Sequence, residues 1–480
     1  MSPPPAAAVD VPPYPPARRG DEADDFHGEV VADPYRWLED ADSEETRAFV
    51  AAENELTEHY LSAVASREAI RGRLTELWSS PRWGVPFERG GRWFQFRNSG
   101  LQNQDVLYVM AAANAEAGEI LLDPNALSAE GTVAVTAMSV SEDGRLLAYG
   151  TSEAGSDWRS WHVRDVTERR DRDDVVEWSK YTEASWLGDA SGFFYGAPEA
   201  PEPGNELRAQ SRNLRVLLHR LGTPQEGDEV IFSAPDEPEW VPRAAVSHDG
   251  RYLVVSISRG TAPESQIHVL DLDEPAGLRP LVGDFSSVAE VVGNVGSRFY
   301  VLSEQGAPRG RLVAIDLEEA AAGTACWREV IPEGRDTLAD AHLCGGHLVC
   351  HFLEDAHSRL SIFDLEGAQV SDVPLPGLVS LLDGAGPSIE GRPQRPVFHF
   401  KVTRSSSPAR SGGTISRAAS PSWCAPRRRA STPPSTSRRR FSSPRLTAPP
   451  FPSSSRGGGI SSAAATFPCC STATGGSTSR

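Results

Sequence analysis

The sequence predicts an all-β protein dominated by a seven-bladed β-propeller over residues 80–402, its last blade incomplete, and three observations predict it. Past residue 80 the chain turns to short runs of alternating apolar residues separated by Gly, Asp and Pro turns. The turns recur at a steady long interval: Gly91, Gly144, Gly192, Gly250, Gly296 and Gly346 each open a strand-like run, at successive steps of 53, 48, 58, 46 and 50 residues. Several of these runs are followed by a second one ending in Asp-Leu or Asp-Val, as at Asp165-Val166, Asp271-Leu272, Asp316-Leu317 and Asp364-Leu365, which marks the next antiparallel turn. A period of this size fits four strands of ~5–6 residues with their turns, which is one propeller blade.

Taken in order, residues 1–79 read as a proline-rich extended arm followed by one helix. Asp42 with Glu45 three residues later has the form of a capping box, and Phe49, Ala52, Leu56 and Tyr60 then recur on one helical face. Six blades follow at the glycines named above. One further step from Gly346 reaches Pro396, where Val397 to Val402 begins a seventh. Residues 403–480 read as a low-complexity, irregular and disordered tail. From Lys401 to Arg480 there are 20 Ser, two Arg triplets and almost no periodic apolar pattern.

Charge divides the chain at the same place. The formal net charge is -19, yet no Asp or Glu follows Glu390, so residues 1–400 carry -32 against +13 for the remainder. An acidic body of this kind has no general attraction to nucleic acid or anionic membrane. The amino terminus lacks the basic and apolar regions of a secretory signal, and no apolar run approaches ~18 residues, so a cytoplasmic protein is expected. The six cysteines are too few and too irregularly spaced for a disulfide scaffold, and are read as free thiols.

Specific words carry more than the period does. Tyr14-Pro15-Pro16, Asp25-Phe26-His27-Gly28 and Asp33-Pro34-Tyr35-Arg36-Trp37-Leu38-Glu39-Asp40 resemble the amino-terminal signature of the prolyl oligopeptidase family of serine peptidases. Gly100-Leu101-Gln102-Asn103-Gln104 leading into Val106-Leu107-Tyr108-Val109, and Gly155-Ser156-Asp157-Trp158 after Leu147-Ala148-Tyr149-Gly150, resemble it too. The resemblance covers residues 12–400, the N-terminal portion only, and favours the prolyl-specific branch, the prolyl endopeptidases. It implies a serine endopeptidase in which a propeller covers an α/β-hydrolase domain bearing a Ser-Asp-His triad, with the arm and helix packed on that domain. The implied partners are short proline-containing peptides, no cofactor is implied, and a monomer is expected if the chain folds. The resemblance also places an aromatic and a basic propeller residue near the peptide: Tyr181 matches the first, and Arg259, beside Ser258 where Arg would be expected, is the candidate for the second.

The sequence departs from the family at its end. The nucleophile would sit on a Gly-x-Ser-x-Gly elbow, and none occurs in the 480 residues; Gly475-Gly476-Ser477-Thr478-Ser479 lacks the second glycine. No catalytic residue is therefore assigned. Rephasing the tail by one base permits Tyr-Gly-Tyr-Gly-Gly-Phe over Ser471–Ser479, Thr-Ser-x-Asp-Gly-Thr-x-Val-Pro over Ser443–Pro452, and Val-Trp-Arg-Tyr-Asp over Arg410–Ile415. The first two resemble the start of the family's hydrolase domain and the hairpin leading into it, and the third an outer strand of blade seven. A frameshift near Lys401 to Arg404 is the expectation, leaving an inactive chain. Cys344, His347, Cys350 and His351 have metal-like spacing, but strand parity turns them apart, and no metal is assigned. Asp143-Gly144 and Asp249-Gly250 are read as hairpin turns, not calcium loops. Two functions stand: the gating portion of a prolyl oligopeptidase-like enzyme, or a non-catalytic propeller that binds peptides or proteins and carries a disordered basic tail.

Overall fold

The computed structural model describes residues 13–202, 209, 211–274, 276–321, 327–375, 377–381, 389–403 and 415–419. After a two-stranded hairpin in the arm, the described residues form seven antiparallel sheets in chain order; five are four-stranded meanders, and in the first and last, two short segments both pair with the second strand. Blade 2 is typical: Val133–Val140, Leu146–Glu153, Arg159–Asp165 and Arg170–Ser179 pair in sequence order. Every glycine of the predicted repeat falls where the first strand of a blade turns into the second, Gly192 as the first residue of that second strand and the others between the two. The first strands of successive blades touch, as where Trp186 Nε1 donates to Ser139 O (2.9 Å) and Val246 N to Ser185 Oγ (2.8 Å), so they line a central channel.

The meander fixes two faces. All first-to-second hairpins lie on one, here the turn face, and all second-to-third loops and blade-to-blade links on the other, the link face. The turns of blades 1 and 2 meet backbone to backbone. Gly90 has φ +56° and a Cβ there would collide with Asp143 O; Gly144 has φ +68° and a Cβ there would collide with Arg89 O. The Asp-Gly turns are satisfied internally: Asp143 Oδ1 accepts from Arg145 N (3.0 Å) and Asp249 Oδ1 from Arg251 N (3.1 Å).

The arm is more structured than expected. Ala23–Phe26 pairs with Glu29–Ala32 as a hairpin, and Arg36 ties its base to Asp33 (2.9 Å) and Asp24. Helix α1 (Glu44–Ser62) is capped by Ser43, whose Oγ accepts from Thr46 N at 3.1 Å; Asp42 instead pairs with Arg47. A second helix, α2 (Arg67–Trp78), was not expected. Both helices leave apolar side chains uncovered: Val50, Tyr60, Ile70, Leu74, Leu77 and Trp78 are all exposed.

Blades are joined by packed apolar side chains at six seams. The seam of blades 2 and 3 buries Trp161, Trp186, Phe193 and Tyr195; that of blades 6 and 7 buries Cys344, Val349, Phe398 and Phe400. Comparable clusters fill the seams 1–2, 3–4, 4–5 and 5–6. Among the described residues the seam of blades 7 and 1 has no such cluster. It is crossed by Trp93 edge-on to His399 at 5.2 Å and by the ion pairs Arg89–Glu390 (2.9 Å) and Arg395–Glu88 (3.2 Å). Strand parity is the cause. Phe398, Phe400 and Val402 face blade 6, which leaves Val397, His399 and Lys401 toward blade 1, opposite Trp93, Gln95 and Arg97.

Blade 7 reaches beyond residue 402. Ser380–Leu381 and Ile389–Arg392 both pair with Arg395–Thr403, which also pairs with Ile415–Ala419 as a third strand. The rest of the tail, including the rephased segments except Ile415, lies outside the described residues.

Candidate functional site

The channel is a cavity of about 640 Å³ where blades 1, 2, 3, 4 and 7 meet, lined by Arg89, Thr136, Glu142, Glu183, Trp186 and Glu390 among others. Burial raises the Glu183 pKa, and in blade 5 burial together with the nearby Asp340 carboxylate raises that of Glu290.

At the turn face a ring of charge closes around this channel. Arg89 Nη1 meets Glu390 Oε1 at 2.9 Å, Arg89 Nε meets Glu142 Oε1 at 3.7 Å, and Arg392 Nη1 meets Glu142 Oε2 at 2.8 Å. Arg392 Nη1 also donates to His248 Nδ1 at 2.9 Å, so four blades are tied together. His248 is exposed at the turn yet crowded by neighbouring groups, and desolvation followed by the Arg392 charge pushes its pKa below the usual imidazole range. The bond from Arg392 requires an unprotonated Nδ1, which agrees with that direction.

The link face carries the two predicted contact residues. Tyr181 lies in the link between blades 2 and 3, 45% exposed, with a left-handed φ of +59°. Its Oη is 3.4 Å from Asp157 Oδ2. Arg259 ends the second strand of blade 4 and stacks on Phe285 at 4.5 Å. The two share a face, with blade 3 between them, and no contact described joins them. The arm enters this same face, since α2 leads directly into the first strand of blade 1. A Cβ on Gly100, in the loop after the second strand of that blade, would collide with Ser79 O.

Sequence reasoning missed the neighbour of Tyr181. Lys180 is buried, with Nζ 3.8 Å over the Trp158 ring and 3.1 Å from Ser211 Oγ, and burial lowers its pKa. Trp158 in turn meets Trp178 edge-on at 5.4 Å, and Trp178 has φ +60°. The signal available in sequence was the word Trp178-Ser179-Lys180-Tyr181 one blade strand after Gly155-Ser156-Asp157-Trp158 in the repeat. The turn-face ring was also missed, because its members come from four separate blades.

The metal-like set does not converge. Cys344 packs between blades 6 and 7, with Sγ 3.2 Å from Arg395 O, whereas Cys350 packs between blades 5 and 6. Burial pushes the Cys344 thiol up to about 11 and raises that of Cys350 as well. His351 Nε2 is engaged with Ser358 Oγ at 2.8 Å.

Comparison with known proteins agrees with this architecture. The family described as prolyl oligopeptidase, N-terminal beta-propeller domain, matches residues 15–390. A prolyl endopeptidase of Elizabethkingia meningoseptica is 33% identical over 364 residues, covering 76% of this chain and 51% of its own length. The dual function macrocyclase-peptidase POPB of Galerina marginata is 27% identical over 436 residues, covering 84% and 58%. A solved structure from a study of two prolyl endopeptidases and their inter-domain dynamics superimposes with TM-score 0.64 at 33% identity, covering 86% of this chain and 57% of the other. Prolyl oligopeptidase B of Galerina marginata shares the fold at TM-score 0.70. The chain spans about half the length of the curated relatives it matches.

Proposed function

The chain belongs to the prolyl oligopeptidase family, and on that premise we propose that it is the propeller portion of a cytoplasmic serine endopeptidase that hydrolyses short peptides after proline, the propeller limiting which peptides reach the chemistry. The observation that carries this reading is the asymmetric channel, cinched by charge at the turn face and flanked on the link face by the arm and Tyr181. A lid of this shape admits flexible chains into a water-poor space and rejects folded ones.

Tyr181 and Arg259 are the residues that would contact peptide from the propeller side, Tyr181 through its exposed ring and Arg259 through its guanidinium. The exposed faces of α1 and α2 are read as the surface for a hydrolase domain. No Gly-x-Ser-x-Gly is present in the 480 residues, so this chain is proposed to be inactive, with the frame lost near Lys401 to Arg404. Support for the lost frame comes from the composition, since no Asp or Glu follows Glu390. A fluorogenic proline peptide assay on the purified chain tests inactivity: cleavage abolished by a serine-directed inhibitor overturns it. Nucleotide reads across the codons of Lys401–Arg404 test the frame, and an unambiguous sequence with no inserted or missing base removes that reading. Peptide contact is tested separately by Tyr181→Ala, which should weaken binding of a proline-containing peptide to the chain about tenfold in calorimetry; equal binding removes Tyr181 from the site.

A further inference from the structure

The seam of blades 7 and 1 holds an apolar cavity of about 370 Å³, within the size range of small-ligand pockets. Its walls are Phe87 and Trp93 from blade 1 and Pro396 and Val397 from blade 7, with Arg392 and Arg395 at its edge. Each of the other six seams carries a packed cluster of buried apolar side chains; here Val397 stays 41% exposed beside an indole. We propose that this cavity is a binding site for a small planar aromatic monocarboxylate.

Each part of that ligand answers a feature of the site. Flat walls of Trp93, Phe87 and Pro396 suit an aromatic ring, which stacks or packs edge-on at such surfaces. Arg395 supplies the charge: its side chain is 55% exposed, one Nη holds Glu88 Oε1 at 3.2 Å, and among the described residues its other guanidinium N–H groups have no hydrogen-bond partner. Arg392 is less available, engaged with Glu142 (2.8 Å), His248 (2.9 Å) and Glu88 O (3.3 Å). Glu88 and Glu390 also border the cavity, so a dianion such as a phosphate monoester is disfavoured while a single carboxylate is accommodated. The site does not depend on the proposed peptidase function.

The test uses the full chain with 2-naphthoate as probe, titrated by calorimetry and by saturation-transfer NMR. Saturable one-to-one binding is expected. It should weaken at least tenfold with Arg395→Gln, weaken similarly when neutral 2-naphthalenemethanol replaces the probe, and vanish when Val397→Trp fills the cavity. Thermal melts establish that each variant is folded; should Val397→Trp fail to fold, Arg395→Gln and the neutral probe decide. Absence of saturable binding to the unmodified chain overturns the proposal, as does naphthoate binding that Arg395→Gln leaves unchanged.

Discussion

Phe193 shows how single residues hold this fold. It is fully buried between blades 2 and 3, against Trp186 (5.4 Å), Trp161 (6.3 Å) and His219 (5.5 Å). Phe193→Ala should cost ~3–5 kcal/mol in denaturant unfolding, because a ring-sized cavity opens inside a stack of rings that cannot collapse independently. Its role was legible in the sequence, since Gly192-Phe193-Phe194-Tyr195 occupies a repeat position where alternate residues must face neighbouring blades. The turn-face ring was not legible. Arg89, Glu142, His248, Glu390 and Arg392 are ordinary polar residues in or beside the turns of separate blades, and only closure of the propeller links them through contacts under 4 Å. Tyr181 stood out by resemblance, whereas the burial of Lys180 beneath it depends on Trp158, a residue of the loop between the second and third strands of blade 2.

Elements were legible in proportion to how far their pattern is local. Strands and hairpins carry period-two alternation and Asp-Gly turns, and the structure has them where they were expected. Helix α2 was missed although Ile70, Leu74, Leu77 and Trp78 recur at helical spacing, a short pattern that ends just before the first blade strand. The outer strand of blade 2 is guarded by a side chain acting as a strand: Glu177 N donates to Gln225 Oε1 and Gln225 Nε2 to Glu177 O, both at 2.9 Å. Gln225→Ala should therefore speed amide exchange at Glu177 severalfold and leave the inner strands of that blade unchanged, measured by hydrogen exchange. Acid should act on the blade 7–1 junction. Burial lowers the pKa of His399, as it does that of His248, so the folded state favours both neutral imidazoles. Their contribution is complete above the unfolded value of ~6.5 and is lost as pH falls below it. Melting temperature should drop between pH 7.5 and 5.5, and His399→Gln should flatten that slope; an unchanged slope counts against the assignment.

At the scale of the whole molecule, unlike joints govern behaviour. Six seams are packed with apolar clusters and the seventh is crossed by ion pairs and an indole–imidazole contact, which could be read from the parity of Trp93-Gln95-Arg97 and Val397-His399-Lys401 once the blade register was known. Salt should then act selectively: raising NaCl from 0.05 to 1 M, with Debye screening shortened to ~3 Å, should accelerate exchange in blades 1 and 7 before blades 3 to 5. The uncovered faces of α1 and α2 predict self-association of the isolated chain that rises with concentration. Ile70→Lys with Leu74→Glu should reduce it in sedimentation without lowering the melting temperature. A circle with one weak joint is mechanically a cut washer. Tension applied between residues 80 and 402 would part that joint first, and the blades would then peel from the two ends. Each rupture would release about one repeat of chain, roughly 170 Å if fully extended, so a force trace should show evenly spaced teeth rather than a single collapse.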